Sequence, residues 1–345
     1  MWNFNKSFNR FTQIALFDYV IMGHHHFYSH SRMWFLTVIS QPITQLKQTS
    51  FKVINSQPFT RQWMLGFLLL SLMWALLAGQ STWAAQIRLS PTKPRLGDTL
   101  SVVIQPFPAE LSQPPVVQSG QKTYPVFSVG PGLWRSFIPT TPLERPGVRR
   151  ITVTTNETQI FPVQVGNRSF PVQRIWLPPA KESLAGTDAE FDQVDAFKQL
   201  VTPQKFWNRS FLAPNAGPVT TGYGVRRYYN GKFAEDYYHR GIDYGGAYGS
   251  PVIAPAPGRV RLIGRESKGF QIHGNTIGID HGQGVASIFI HLSRINVNEG
   301  DFVQTGQVIG AVGSTGAATG PHLHWGLYVN GQSVDPYPWR TQTIE

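Results

Sequence analysis

At 345 residues the chain exceeds one typical domain, so two folded units plus a targeting segment are expected. Its 41% apolar content suffices for packed cores, and 26 Pro with 33 Gly favour loop-rich β architecture over a helical bundle. The formal net charge of +11 suits an anionic polymer or plain solubility, and the lack of cysteine excludes disulfides and thiolate metal sites.

Residues 1–60 show no sustained period and read as an unstructured leader; Met22, Met33 and Met64 downstream suggest a start assigned too early. The His24-His25-His26 tract within it reads as inert. Arg61 then precedes an apolar run over 63–78, shorter than the roughly 20 residues a spanning helix needs. Residues 61–85 therefore read as a signal peptide with processing after Ala84, or as a signal anchor. Lys47, Lys52 and Arg61 keep the preceding side cytoplasmic, which places the bulk of the chain outside, in the periplasm or cell envelope.

From 86 to 170 the chain reads as short strands broken by Pro and Gly, over 87–89, 99–105, 124–129, 133–138, 147–154 and 159–165. Leu100, Val102 and Ile104 alternate with Ser101 and Val103, giving one apolar face. Such spacing predicts a small β-sandwich, read here as an immunoglobulin-like accessory module without a titratable cluster. Residues 171–210 form a linker, with a capping box at Thr187-Asp188-Ala189-Glu190 opening a helix to about Leu200. Phe191, Val194 and Phe197 give that helix a packing face, so it reads as a strut rather than a site. Residues 211–345 are Gly-rich and strand-rich, without helical periodicity, and predict an antiparallel β domain.

Three stretches of that domain concentrate chemistry: His239-Arg240-Gly241-Ile242-Asp243, His291, and His322-Leu323-His324. Two histidines two apart on a strand point to the same side, with Leu323 turned into the core. A turn at Gly241 can bring His239 and Asp243 to one ion. Four imidazoles and one carboxylate are enough for three zinc ligands and two free histidines, and a three-ligand site keeps an open position, as hydrolytic zinc centres do. His273 and His281 read as packed residues, with His281 a candidate support behind the site.

The segments 239–245, 249–260, 298–310 and 316–325 closely resemble lysostaphin/LytM-type zinc endopeptidases over about residues 211–338. The resemblance implies the duplicated hybrid motif fold of LytM-like domains and one zinc ion held by His239, Asp243 and His324. It implies His291 and His322 as the catalytic pair, and the peptide part of peptidoglycan as substrate. Two positions depart from the family pattern: Phe289 stands where Tyr is frequent, and Trp325-Gly326 where an aromatic-Glu pair is frequent. Neither belongs to the ligand set or the pair, so both bear on substrate preference. Arg226, Arg227, Arg240, Arg259, Arg261 and Arg265 are candidates for wall carboxylates or ordinary surface charge.

A rival reading keeps the fold without catalysis, as a wall-binding regulator or activator of cell-wall amidases, but all five site residues are present. A biotinyl-type carrier lacks its flanked lysine. The glycines at 310, 313 and 316 do not fit a dinucleotide fingerprint, and no nucleic-acid motif occurs.

Overall fold

The computed structural model describes residues 85–107, 111, 113–179, 184–342 and 344. The leader and the signal segment up to residue 84 lie outside them. Among the described residues, no helix is long and apolar enough to cross a membrane.

The first module holds eight strands: β1 (Gln86–Ser90), β2 (Thr99–Gln105), β3 (Val116–Ser119), β4 (Lys122–Tyr124), β5 (Val126–Gly130), β6 (Leu133–Pro139), β7 (Gly147–Thr154) and β8 (Thr158–Val165). They form two four-stranded antiparallel sheets, ordered β1-β2-β6-β5 and β4-β3-β7-β8. Leu100, Val102, Ile104 and Ile138 of one sheet pack against Val117, Tyr124, Ile151, Val153 and Val163 of the other, as the alternation in β2 requires. The expected strand over 124–129 is broken at Pro125, where the chain passes from β4 in one sheet to β5 in the other. A ring nitrogen without a proton cannot continue a ladder. Strand β3, set between Pro115 and the turn at Gly120, was not apparent from the sequence.

The linker is more than a tether. Its residues form β9 (Val172–Ile175) and helix α1 (Asp188–Lys198). Helix α1 seats Val194 and Phe197 against Leu262, Phe270, Ala286, Ile288 and Tyr328. Each such side chain contributes about 1.5–3 kcal/mol. Thr187 caps the helix by accepting from the Glu190 N–H at 3.0 Å. The expected capping box is only half made, because the Glu190 carboxylate turns away to residues 271–273.

The second module comprises β10 (Val219–Thr221), β11 (Arg226–Tyr229), β12 (Lys232–Phe233), β13 (Ile242–Tyr244), β14 (Pro251–Ile253), β15 (Gly258–Gly264), β16 (Asn275–Gly282), β17 (Val285–Ile295), β18 (Phe302–Val303), β19 (Val308–Val312), β20 (Leu323–Val329) and β21 (Gln332–Val334). A short helix, α2 (Pro336–Thr341), follows and was not expected; Asp335 caps it through the Tyr337 N–H, with Pro336 in its first turn. The main sheet runs β10-β13-β20-β17-β16-β15-β18 with antiparallel pairing, and β14, β19 and β21 attach at its side. Strand β9 pairs parallel with β11, which lengthens the β11–β12 hairpin by a linker strand.

The sandwich docks through aromatic packing. Phe137 at the end of β6 is fully buried among Trp207, Phe211 and Trp339, with ring centroids 5.7 Å apart between Phe137 and Trp339. Arg135 lies over the Phe137 and Trp207 rings and bonds Gln283 in the β16–β17 turn. Arg168 pairs with Asp335 at 2.7 Å, and the Asn330 amide donates to the Phe137 carbonyl at 2.8 Å.

Candidate metal centre

Asp243 and His324 face each other across the β13–β20 ladder, so their side chains leave the sheet on one side. His239 reaches the same point from the loop before β13, its backbone N–H donating to the Val225 carbonyl at 2.8 Å. Gly241 allows the approach. A Cβ there would stand 2.2 Å from the Trp325 carbonyl oxygen and 2.8 Å from the His324 ring, so any side chain would open the turn.

The three donor atoms converge. Asp243 Oδ1 lies 2.9 Å from His239 Nε2 and 2.8 Å from His324 Nδ1, and the two ring nitrogens are 2.9 Å apart. His239 Nδ1 stands 2.8 Å from the Gly222 carbonyl and must donate to it, so in the neutral ring Nε2 presents a lone pair to the other two atoms. Lone pairs crowded this closely repel unless something positive lies between them. A divalent cation satisfies all three at once, and a donor set of two imidazoles and one carboxylate suits zinc. Burial pushes the His324 ring down to about 4, which keeps it neutral and available as a ligand. Burial alone would raise Asp243, but the close His239 and His324 rings outweigh it and hold the carboxyl far below the ordinary range.

His291 and His322 stand beside this triad, their ring centroids 4.9 Å apart. His291 Nδ1 donates to the Thr315 carbonyl at 2.8 Å, and His322 Nδ1 to the Gly320 carbonyl at 2.9 Å. With Nδ1 donating, a neutral ring at either position carries its lone pair on Nε2. His291 takes φ of 65°, a left-handed conformation that costs a non-Gly residue about 1–3 kcal/mol and gathers at functional sites. Burial, then the neighbouring His322 and His324 rings, hold His291 well below the ordinary imidazole value.

All five residues expected from the sequence are thus assembled, whereas several neighbours differ from expectation. Arg227 does not face outward. Its Nη2 lies 3.6 Å from Asp243 Oδ2, its Nη1 donates to the Tyr229 and Tyr237 hydroxyls, and its Nε donates to the Gln173 side chain of β9. Arg226 bonds the Tyr237 carbonyl at 2.9 Å, and Arg240 stacks on Tyr237 and Tyr238. These three serve the local structure, while Arg261 and Arg265 are exposed. Phe289 is fully buried and Trp325 donates to Ser287, so both of these side chains lie in the core. His281 bonds the Pro257 carbonyl and the Ser287 hydroxyl, each at 2.8 Å, and touches no metal-site residue by hydrogen bond.

A β-sheet that gathers two imidazoles and a carboxylate at one point, with two further imidazoles alongside, defines a metallopeptidase-type centre. Residues 237–336 match Peptidase family M23, so the chain carries a domain of that family. It is 46% identical over 98 residues to the DD-carboxypeptidase/endopeptidase Mpg of Neisseria meningitidis, covering 28% of this chain and 22% of that protein. It is 41% identical over 106 residues to lysostaphin of Staphylococcus staphylolyticus, covering 29% and 22%. The chain thus spans about a fifth of the length of these curated relatives, 22% in each. Among solved structures, a putative M23 peptidase from Pseudomonas aeruginosa superposes with a TM-score of 0.53 at 28% identity, covering 72% of this chain and 95% of that one.

Proposed function

We propose that the chain is an exported, zinc-dependent endopeptidase that hydrolyses amide bonds in the peptide part of peptidoglycan. The convergence of His239, Asp243 and His324 beside the His291–His322 pair carries this reading. Relatives named as lysostaphin and as peptidoglycan DD-endopeptidases support the substrate class. The apolar run over 63–78 supports export to the periplasm or envelope. The upstream sandwich is read as an immunoglobulin-like accessory module.

His239 Nε2, Asp243 Oδ1 and His324 Nδ1 would hold the ion. Zinc, when bound, supplies Lewis acidity toward water and the scissile carbonyl. The chain's own part is proton handling. The free Nε2 of His291, in a ring kept neutral by burial, takes the proton of the attacking water and returns it to the leaving amine. His322, less deeply buried, would donate to the oxyanion of the tetrahedral intermediate from Nε2 in its protonated form, because its Nδ1–H already serves the Gly320 carbonyl. The Thr315 carbonyl fixes the tautomer that a base at His291 needs, and the Gly320 carbonyl orients the His322 ring. A non-catalytic regulator would not need both the triad and the pair, and this chain keeps both.

The test is muropeptide analysis after incubating purified cell wall with the chain. Cross-linked dimers should convert to monomers, and chelator or His324→Ala should stop the conversion. Cleavage that survives both would overturn the metal mechanism, and a chain that cleaves nothing while holding zinc would favour the regulator.

A further inference from the structure

Helix α1 lies outside the M23 match, yet one of its side chains reaches the loop that holds His291. Glu190 is 1% exposed. Its carboxylate accepts from three successive backbone N–H groups, those of Gln271 at 2.9 Å, Ile272 at 3.0 Å and His273 at 2.7 Å. The His273 ring lies at 2.7 Å from the same carboxylate. Successive N–H groups turned inward make an anion nest, and here the anion is supplied by the linker. The helix does not need this carboxylate for itself, since Thr187 already caps the Glu190 N–H.

From the nest, hydrogen bonds lead directly to the pair. The His273 carbonyl accepts from the His291 N–H at 3.0 Å, at the residue whose φ is 65°. The Ile272 carbonyl accepts from the Ala317 N–H at 2.9 Å. Thr315, two residues earlier, offers its carbonyl to His291 Nδ1 and takes the Asn275 N–H on its hydroxyl at 3.0 Å. Both bonds that fix His291, one at its backbone and one at its ring, therefore come from segments tied to residues 271–275.

We propose that Glu190 is a positioning residue for His291, so that the linker helix completes the active site from outside the peptidase domain. The inference rests on the peptidase reading above. Burial would raise the Glu190 carboxyl, but the His273 ring and backbone bonds outweigh it and hold the group below its usual value, as an ionised anchor requires.

The test compares the full wild-type chain with Glu190→Gln and Glu190→Ala. For Glu190→Ala, kcat on a cross-linked muropeptide should fall by roughly 100-fold, the scale of a small misplacement of a catalytic group, with KM and zinc stoichiometry nearly unchanged. Formate, small enough to enter the emptied nest, should restore part of the loss in Glu190→Ala and none in Glu190→Gln. Nitrogen-edited NMR should show the His291 Nδ1 proton exchanging faster in both variants. Unchanged kcat and unchanged exchange would overturn the proposal, as would loss of kcat and zinc together without formate rescue. Failure of the isosteric Glu190→Gln to fold would overturn it too, since the carboxylate would then hold the whole fold and not one imidazole. An inactive wild type would sink the peptidase reading alone, because the NMR comparison still reports on His291.

Discussion

The two modules bury different things. The sandwich closes on apolar side chains such as Leu100, Val102, Ile104, Ile151 and Val153, and among its described residues it buries no imidazole and no carboxylate. The peptidase sheet buries Trp325, Ile277 and Leu292, but among them also His239, Asp243, His281, Ser287 and His324. Buried polar groups lower stability unless they are partnered, so a fold keeps them where they are used. One region shows what folding alone asks of a β sequence, and the other shows what chemistry adds to it.

The sharpest way to break this contrast is to empty the centre. Chelator or His239→Ala should cut amide hydrolysis by on the order of 1,000-fold or more, read by muropeptide release, since Lewis-acid activation contributes several kcal/mol. Next come His291→Ala and His322→Ala, each expected to lower kcat by roughly 100- to 10,000-fold while zinc stays bound. Loss of zinc in either variant would mean the pair is not separate from the triad.

On the sandwich side the expected effect is on stability. Phe137→Ala leaves a void among Trp207, Phe211 and Trp339 and should cost about 3–5 kcal/mol by urea unfolding, with the activity of the folded fraction intact. Reduced specific activity would show that docking of the sandwich shapes the site.

His281 tests the buried polar groups themselves. Burial lowers its ring from 6.5 to about 4. The unfolded chain therefore binds a proton between those values that the native chain refuses. Stability is full above pH 6.5 and is lost as pH falls toward 4, by up to ~3 kcal/mol. In the metal-free chain, His281→Gln should flatten this slope in unfolding measured from pH 7.5 to 5; an unchanged slope would exclude His281 as its source. The smallest effect is expected at Arg227. Its replacement by Ala should weaken zinc about 10- to 100-fold in chelator competition, with Lys recovering only part because it lacks the planar fork.

Much of this was legible in the residues. The H-x-H spacing, the alternation in β2 and the glycine at 241 each state a local rule that the fold obeys. What escaped depends on partners far away in sequence. Strand β9 exists because Val172 to Ile175 find β11, over fifty positions onward, and nothing in those four residues announces it. Glu190 looked like half of a capping box, and only the tertiary fold offers it a better set of donors. Arg227 read as a surface cation, while two tyrosines and Gln173 turn it inward.

The pairing of Ile242 with Trp325, Asp243 with His324 and Tyr244 with Leu323 also bears on how such a chain can diverge. Because neighbouring residues on a strand project to opposite sides, inserting or deleting one residue within β13 or β20 would turn a ligand away from its mates. This short ladder and the turn at Gly241 that brings His239 to it therefore tolerate no change in length.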